Sequence, residues 1–327
     1  MIYIDTHSTD PAFHFALEEY FCTQKELGDT IFLLWQTKPT VMLGNFQNSY
    51  NELNREAIER DGVQVVRRNT GGGTIYTDEG SFQYSFLMKH VSQMIDFGRY
   101  MDPIIAALGE LKVDACYNSR NDLAIAGKKI SGNAQCTKGA YTIHHGSLLY
   151  QTDFAKMASY LRPPKYKIES KGIQSVRDRT TNIYDHVENN WPTKVFKEKF
   201  LQAILRQGTE LYQLTDSDRA AIEHLADDKF RTWEWTFGKN PSCTIEKGKK
   251  YQGGYLSFAL TVKQGLITEC HVTGDFFSAY DIHELEQALL QQPLDDSQQL
   301  AKVLKQPKFQ HFLYQISPED ILDCLIG

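Results

Sequence analysis

Arg67-Arg68-Asn69-Thr70-Gly71-Gly72-Gly73-Thr74-Ile75-Tyr76 places two guanidinium groups directly before three consecutive glycines. A triple glycine is costly to order and packs no side chain, so it suits backbone that must approach something closely. Successive bare N–H groups can then surround an anion. The two arginines add fixed-charge donors for phosphate or carboxylate. A glycine-rich hairpin with solvated arginines is the ordinary alternative. A second polar segment weakens it: Asn121-Asp122-Leu123, then Gly127-Lys128-Lys129-Ile130-Ser131-Gly132-Asn133-Ala134-Gln135. A lysine pair on a strand usually faces solvent, but these small residues leave room for a ligand. A lysine ammonium there could neutralise both a substrate carboxylate and an α-phosphate.

Two further segments carry chemistry. In Tyr141-Thr142-Ile143-His144-His145-Gly146-Ser147-Leu148-Leu149 the paired histidines suggest a metal, but neighbours on a strand point to opposite faces. No HExxH motif or cysteine partner accompanies them, so metal binding is not expected. Alternation sets His145 inward with Tyr141 and Ile143, as a ligand contact or as a hydrogen-bonded core histidine. Lys165–Asn182, with Lys171, Gly172, Arg177, Asp178, Arg179 and Asn182, is polar and non-periodic. It reads as a solvated loop or as a lid over a nucleotide. Neither GxGxxG nor GxxxxGK[ST] occurs in the glycine-rich stretch.

The elements that must position these residues follow from periodicity. Asp10-Pro11 starts a helix whose stripe is Phe13, Ala16, Leu17, Tyr20 and Phe21. Ile31–Trp35 and Thr40–Leu43 read as two paired strands around Lys38-Pro39. Leu53, Ala57 and Ile58 mark a second helix closed by Gly62, and Val63–Val66 is a strand. Phe82, Tyr84, Phe86 and Met88 alternate with Gln83 and Ser85, which predicts a half-buried strand. A helix over Ser92–Leu111 precedes strands at Asp122–Ala126, Lys129–Gln135 and Tyr141–Tyr150. The stretch from Trp191 to Lys229 is helical. Beyond a Gly/Pro boundary at Gly238–Pro241, Leu256, Phe258, Leu260 and Val262 alternate along a strand. Gln264-Gly265 turns into Leu266–Val272, and helices follow near Ile282–Leu290 and after Ser317-Pro318. The whole is α/β or α+β with a mixed sheet, with residues 1–241 and a small α+β unit at 242–327.

Composition narrows the class. With 327 residues, 41% hydrophobic and 23% charged, the chain is an ordinary soluble one. A net charge of −6 gives no basic field to recruit nucleic acid. No apolar run approaches the roughly 20 residues of a membrane helix, and no signal peptide is visible. Cys22, Cys116, Cys136, Cys243, Cys270 and Cys324 are scattered without a CxxC pair, which implies reduced thiols and a cytoplasmic protein.

RRNTGGGTIYTDEG, NDLAIAGKKISGNAQ, HHGSLL and SVRDRTTNI, in this order, resemble the lipoate–protein ligase A family. The resemblance spans essentially the whole chain and implies a biotin/lipoate-ligase-like catalytic domain with a small C-terminal accessory domain. It implies ATP and Mg²⁺ as cofactors, lipoate as substrate, and lipoyl-AMP as intermediate. Its partners would be lipoyl-carrier domains of 2-oxoacid dehydrogenase complexes and the glycine cleavage H protein. Lys129 matches the family's key lysine. Arg68, Gly71, Gly72, Gly73, Thr74, Ile75 and Tyr76 match its glycine loop. Asn121, Asp122, His145 and Arg179 complete the expected site, and the loop from about Lys165 to Asn182 would close over the adenylate. Aromatic strand residues could line a tunnel for the lipoyl tail. A related ATP-independent acyltransferase with a cysteine nucleophile is the alternative, and Cys136 keeps it open. A non-enzymatic lipoate- or nucleotide-binding regulator is a third reading.

Overall fold

The chain begins with β1 (Ile2–Tyr3) and helix α1 (Pro11–Thr23), whose start is the expected one. Asp10 Oδ1 accepts from Ala12 N at 2.9 Å and Pro11 occupies the first turn. The computed structural model describes residues 1–28, 30–89, 96–118, 121–162, 179–205, 208–240, 243–274, 276, 278 and 280–327. They divide into two units, one of Met1–Gln47, Asn51–Leu53 and Gly62–Thr232, the other of Asn48–Tyr50, Asn54–Asp61 and Trp233–Gly327.

After α1 come β2 (Ile31–Trp35), β3 (Thr40–Leu43), the short helices α2 (Ser49–Glu52) and α3 (Arg55–Asp61), and β4 (Gln64–Arg67). Next are β5 (Ile75–Thr77), β6 (Ser81–Lys89), α4 (Gly98–Glu110), β7 (Cys116–Tyr117) and β8 (Asp122–Ile125). Then follow β9 (Lys128–Lys138), β10 (Tyr141–Leu149), α5 (Phe154–Tyr160), a helix at Thr193–Ile204, β11 (Glu210–Leu211) and a helix at Asp216–Leu225. Residues 92–95 of the helix expected at Ser92–Leu111 lie outside the described residues. So does most of the expected lid, residues 165–178.

Eight strands form one mixed sheet, in the order β11-β1-β2-β6-β10-β9-β8-β7. A second sheet of the same unit runs β4-β3-β5. The expected β2–β3 pairing is therefore wrong. β6 takes all of Ile31–Trp35 along one edge of β2 and β1 joins the other, so β3 pairs with β4 and β5 instead.

The half-buried reading of β6 also needs correction, because Ser81–Leu87 is buried throughout. Phe82, Tyr84 and Phe86 point into the main core with Phe32, Leu34 and Leu148. There they meet Tyr100, Met101, Ile104 and Leu108 of α4 and Phe196 and Phe200 of the 193–204 helix. Each such side chain contributes about 1.5–3 kcal/mol by leaving water. The opposite face, with Gln83 and Ser85, is covered too: Ser85 Oγ donates to Glu18 Oε1 of α1 at 2.5 Å.

The smaller unit has an antiparallel sheet of β12 (Cys243–Tyr251), β13 (Gly254–Lys263) and β14 (Leu266–Gly274). Leu256, Phe258, Leu260 and Val262 alternate inward as expected, against Leu285, Leu300, Ile321 and Leu325 of three helices. Ser317 caps the last helix in a reciprocal box with Asp320.

Two histidines are fully buried in the larger unit. His14 stacks on Trp35 at 4.2 Å, and His144 stacks on Tyr100 at 4.6 Å. Burial pushes His14 down to about 4; burial and the neighbouring His145 push His144 down to about 3. The unfolded chain takes up both protons near pH 6.5, so between that value and about 4 it binds more protons than the folded chain. Stability is full above pH 6.5 and falls as the pH drops through this window. Thermal melts should show a lower Tm at pH 4.5 than at pH 7, and the double replacement His14→Gln, His144→Gln should flatten that slope. An unchanged slope would exclude these imidazoles as its source.

Candidate functional site

Above β6, β9 and β10 the larger unit contains a cavity of about 260 Å³. Its lining includes Phe15, Trp35, Met42, Gln83 and His145 together with Gly72, Gly73, Lys129, Gly132 and Ser147. A neighbouring cavity of about 450 Å³ shares Thr74, Ile75, Lys129, Gly132 and Ser147. It adds Tyr76, Asn118, Asp122, Arg179 and Thr180. Lys129 therefore borders both cavities.

A β-bulge aims this lysine. Leu123 faces Ser131, but Ala124 faces Lys129, which leaves Ile130 as the extra residue. Strict alternation would put Lys129 on the face of Ser131 and Asn133, whose side chains bond each other beneath the sheet. Past the bulge Lys129 joins Gly132 instead, and its Nζ pairs with Asp122 Oδ1 at 2.8 Å. Lys128 is exposed and borders neither of these cavities. Thr181 N donates to Lys129 O at 3.0 Å, which brings the described end of the expected lid, Arg179–Asn182, back to the site.

The arginines do less at the ligand than their position in the motif suggests. Arg67 is completely buried and donates to Gly44 O and Gln47 O at 2.9 and 2.7 Å. It is scaffold. Arg68 does border the first cavity, yet it donates to Thr70 Oγ1, Met42 O, Gly71 O and Gly73 O at 2.7–3.0 Å. It staples the glycine loop from inside. Burial, with Arg67 beside it, lowers its pKa to about 10, which leaves it charged at neutral pH.

The histidines lie on opposite faces as alternation requires, but His145 is not alone in pointing inward, because the sheet is covered on both sides and His144 is buried as well. His145 borders the first cavity, with Nε2 2.5 Å from Thr70 Oγ1 and Nδ1 3.5 Å from Glu18 Oε1. His144 lies beneath, 3.1 Å from Asn133 Oδ1, which also accepts from Tyr84 Oη. Gly146 must be glycine, since a Cβ would come within 2.3 Å of that Asn133 oxygen. Among the described residues no group of three or more His, Cys, Asp or Glu could hold a metal ion.

Of the expected residues, Arg68, Gly72, Gly73, Thr74, Ile75, Asn121, Lys129 and His145 border the first cavity, and Tyr76, Asp122 and Arg179 the second. Gly71 borders neither; it lies under the Phe46 ring. Aromatic strand residues of β6 do not line the pocket, because Phe82, Tyr84 and Phe86 face the core; Phe15 and Trp35 supply the aromatic wall. Cys136 borders neither cavity, and burial together with the Glu18 charge pushes its thiol up to about 12. Sequence reasoning missed Glu18, Trp35 and Gln83. A carboxylate in the buried first helix and an amide between aromatics were the available signals.

Residues 10–205 match the family model of the lipoyl protein ligase A/B catalytic domain, and residues 240–325 that of the bacterial lipoate protein ligase C-terminus. The chain is 33% identical over 331 residues to lipoate-protein ligase LplJ of Bacillus subtilis, covering 99% of this chain and 100% of that protein. It resembles the bipartite lipoate protein ligase of Thermoplasma acidophilum, solved in a study with its E2 lipoyl domain. The TM-score is 0.64 at 23% identity, covering 75% of this chain and 98% of that one. Lipoate-protein ligase A bound with ATP gives a TM-score of 0.61 at 22% identity, covering 70% and 95%. At such identities the two structures speak for the fold.

The loop's glycines are not equivalent. Gly72 has φ +91°, and a Cβ there would lie 3.1 Å from an Arg68 nitrogen; nothing lies within 4 Å of one at Gly73. Gly72→Ala should lose about 1–2 kcal/mol in urea unfolding through backbone strain. Gly73→Ala should stay within about 0.5 kcal/mol. Equal losses would show that the loop is held otherwise.

Proposed function

The chain belongs to the lipoate–protein ligase family and is an enzyme of that type, and from that premise we propose how its residues run the reaction. Lipoate and ATP give lipoyl-AMP and pyrophosphate; the lipoyl group then passes to a lysine ε-amine of a lipoyl-carrier domain, releasing AMP. One observation carries the residue assignment: Lys129 borders both cavities. The lipoyl chain occupies the chamber of Phe15, Trp35 and Met42, and the nucleotide the chamber of Tyr76, Asp122 and Arg179.

Lipoate's carboxylate oxygen attacks the α-phosphorus and the bond to the bridging oxygen of pyrophosphate breaks. Negative charge gathers there, and the Lys129 ammonium is the fixed cation between the chambers. Asp122 holds that ammonium in place. Gly72 and Gly73, in a loop stapled by Arg68, border the first cavity, and their N–H groups can meet the phosphate or the acyl carbonyl. In the second step the carrier amine attacks the acyl carbon and AMP leaves. No covalent enzyme intermediate is needed.

Mg²⁺ suits such a site, because it usually binds through one or two carboxylates plus substrate phosphates. Asp122 is the carboxylate that would help to hold it, and the ion would neutralise phosphate charge. Carrier domains of 2-oxoacid dehydrogenase complexes and the glycine cleavage H protein are the proposed acceptors. Residues 1–241 are assigned to catalysis and 242–327 to an accessory domain, a division supported by the two family models.

Lys129→Ala should reduce lipoate-dependent ATP–pyrophosphate exchange by on the order of 10²–10³, as expected for loss of a charge-stabilising group. Lys128→Ala should be nearly silent. Equal exchange by the two variants would sink the assignment. Cys136→Ser should retain ligation without an acyl-thioester at any stage. ATP-independent transfer abolished by that change would instead mark a cysteine acyltransferase.

A further inference from the structure

One polar group in the acyl chamber has no part in the chemistry above. Gln83 is 3% exposed and borders the first cavity. Its Oε1 accepts from Thr77 Oγ1 at 3.3 Å, while its Nε2 is buried without a hydrogen-bond partner. A buried donor left unmet is costly, and one beside a cavity points to an acceptor that arrives with the ligand.

The sheet fixes how far along the ligand that acceptor must be. Trp35 faces Gln83 across β2 and β6, and Gln83 faces Ser147 across β6 and β10. Ser147 Oγ accepts from Gly132 N at 3.5 Å, and a Cβ on Gly132 would lie 2.8 Å from Lys129 Nζ. The four residues form a row across the strands, from the ammonium to the indole. With strands about 4.8 Å apart, Gln83 stands about 9.6 Å from Gly132, and Trp35 one strand further. An extended chain advances about 3.5 Å per three bonds, so the dithiolane of lipoate begins roughly 6 Å beyond its carboxyl carbon and ends roughly 8 Å beyond it. Adding the gap between the ammonium and the carboxylate brings the ring to Gln83 and Trp35.

Resting on the ligase reading, we propose that Gln83 is a specificity-determining residue whose amide N–H selects dithiolane acids over saturated acids of the same length. Ring sulfur is a weak acceptor and a polarisable partner for the indole face of Trp35. A saturated chain fills the same volume and leaves the N–H desolvated and unpaired. Sites built around a hydrogen bond reject analogues that lack the matching group more strongly than sites that sense only size.

The test is ATP–pyrophosphate exchange by the full-length protein with lipoate and with octanoate, comparing kcat/KM for wild type and Gln83→Leu. Wild type should favour lipoate by about tenfold or more. The variant should bring the ratio toward one by losing more lipoate turnover than octanoate turnover, with its circular dichroism spectrum and Tm reporting that it is folded. If Gln83→Leu does not fold, Gln83→Met, similar in shape but without the donor, should give the same shift. A wild-type ratio near one, or an equal change for both acids, overturns the proposal. Exchange with neither acid in wild type overturns the ligase reading itself.

Discussion

β6 and β10 lie in the middle of a sheet that is covered on both faces, so each polar side chain they carry must find a partner inside the protein. On the lower face Tyr84 and His144 both reach Asn133 Oδ1, inside an otherwise aromatic core, and His144 Nδ1 is left without a partner. On the upper face Ser85 donates to Glu18, and Gln83 accepts from Thr77. The alternation of the strands separates the two sets. One face can then be packed as core while the other serves as a binding floor, and a single insertion at Ile130 decides on which face Lys129 emerges.

The roof of the site is made by spending charge on backbone. Gly72 has φ +91°, and the loop around it has few side chains with which to hold its shape. Arg68 bonds the carbonyls of Gly71 and Gly73, and Arg67 the carbonyls of the neighbouring 44–47 turn. Each bond is charge-assisted and therefore stronger than a neutral one. The carbonyls are drawn toward the guanidinium, which leaves the loop's N–H groups as the side available to an anion. Both arginines thus favour anion binding without offering an open guanidinium.

Contiguous signals in the sequence were readable, and non-local ones were not. The helix start at Asp10-Pro11 and the opposite faces of His144 and His145 are decided within a few residues, and the structure agrees with both. Ile31–Trp35 and Thr40–Leu43 were found as strands, but their partners depend on β1, β4, β5 and β6, which no local pattern names. The apolar stripe of Phe13, Ala16, Leu17, Tyr20 and Phe21 says nothing of Glu18. In fact α1 is buried nearly all round, and its carboxylate is inside. Gln83 and Ser85 misled, since alternation reports two faces without saying that one is solvent. Lys129 was identified by its small neighbours and by the family motif, although a strict period-2 reading would have turned it into the core.

The residues missed from sequence join the residues found in it. Trp35 Nε1 donates to Ser85 Oγ at 3.3 Å, Ser85 to Glu18, and Glu18 lies beside His145. His145 reaches Thr70, which accepts from Arg68 Nε. Two hydrogen-bonded runs, Trp35–Ser85–Glu18 and His145–Thr70–Arg68, thus meet at a Glu18–His145 contact of 3.5 Å that is not itself a hydrogen bond. In a low-dielectric interior such bonds are strong and an unmet member is expensive, so the members fix one another's orientation. A substrate entering this space meets donors that are already aimed. In the proposed reaction the transition state then gains electrostatic stabilisation without the reorganisation that water would require, which is where a mechanism resting on Lys129 and on no enzyme nucleophile would find its rate.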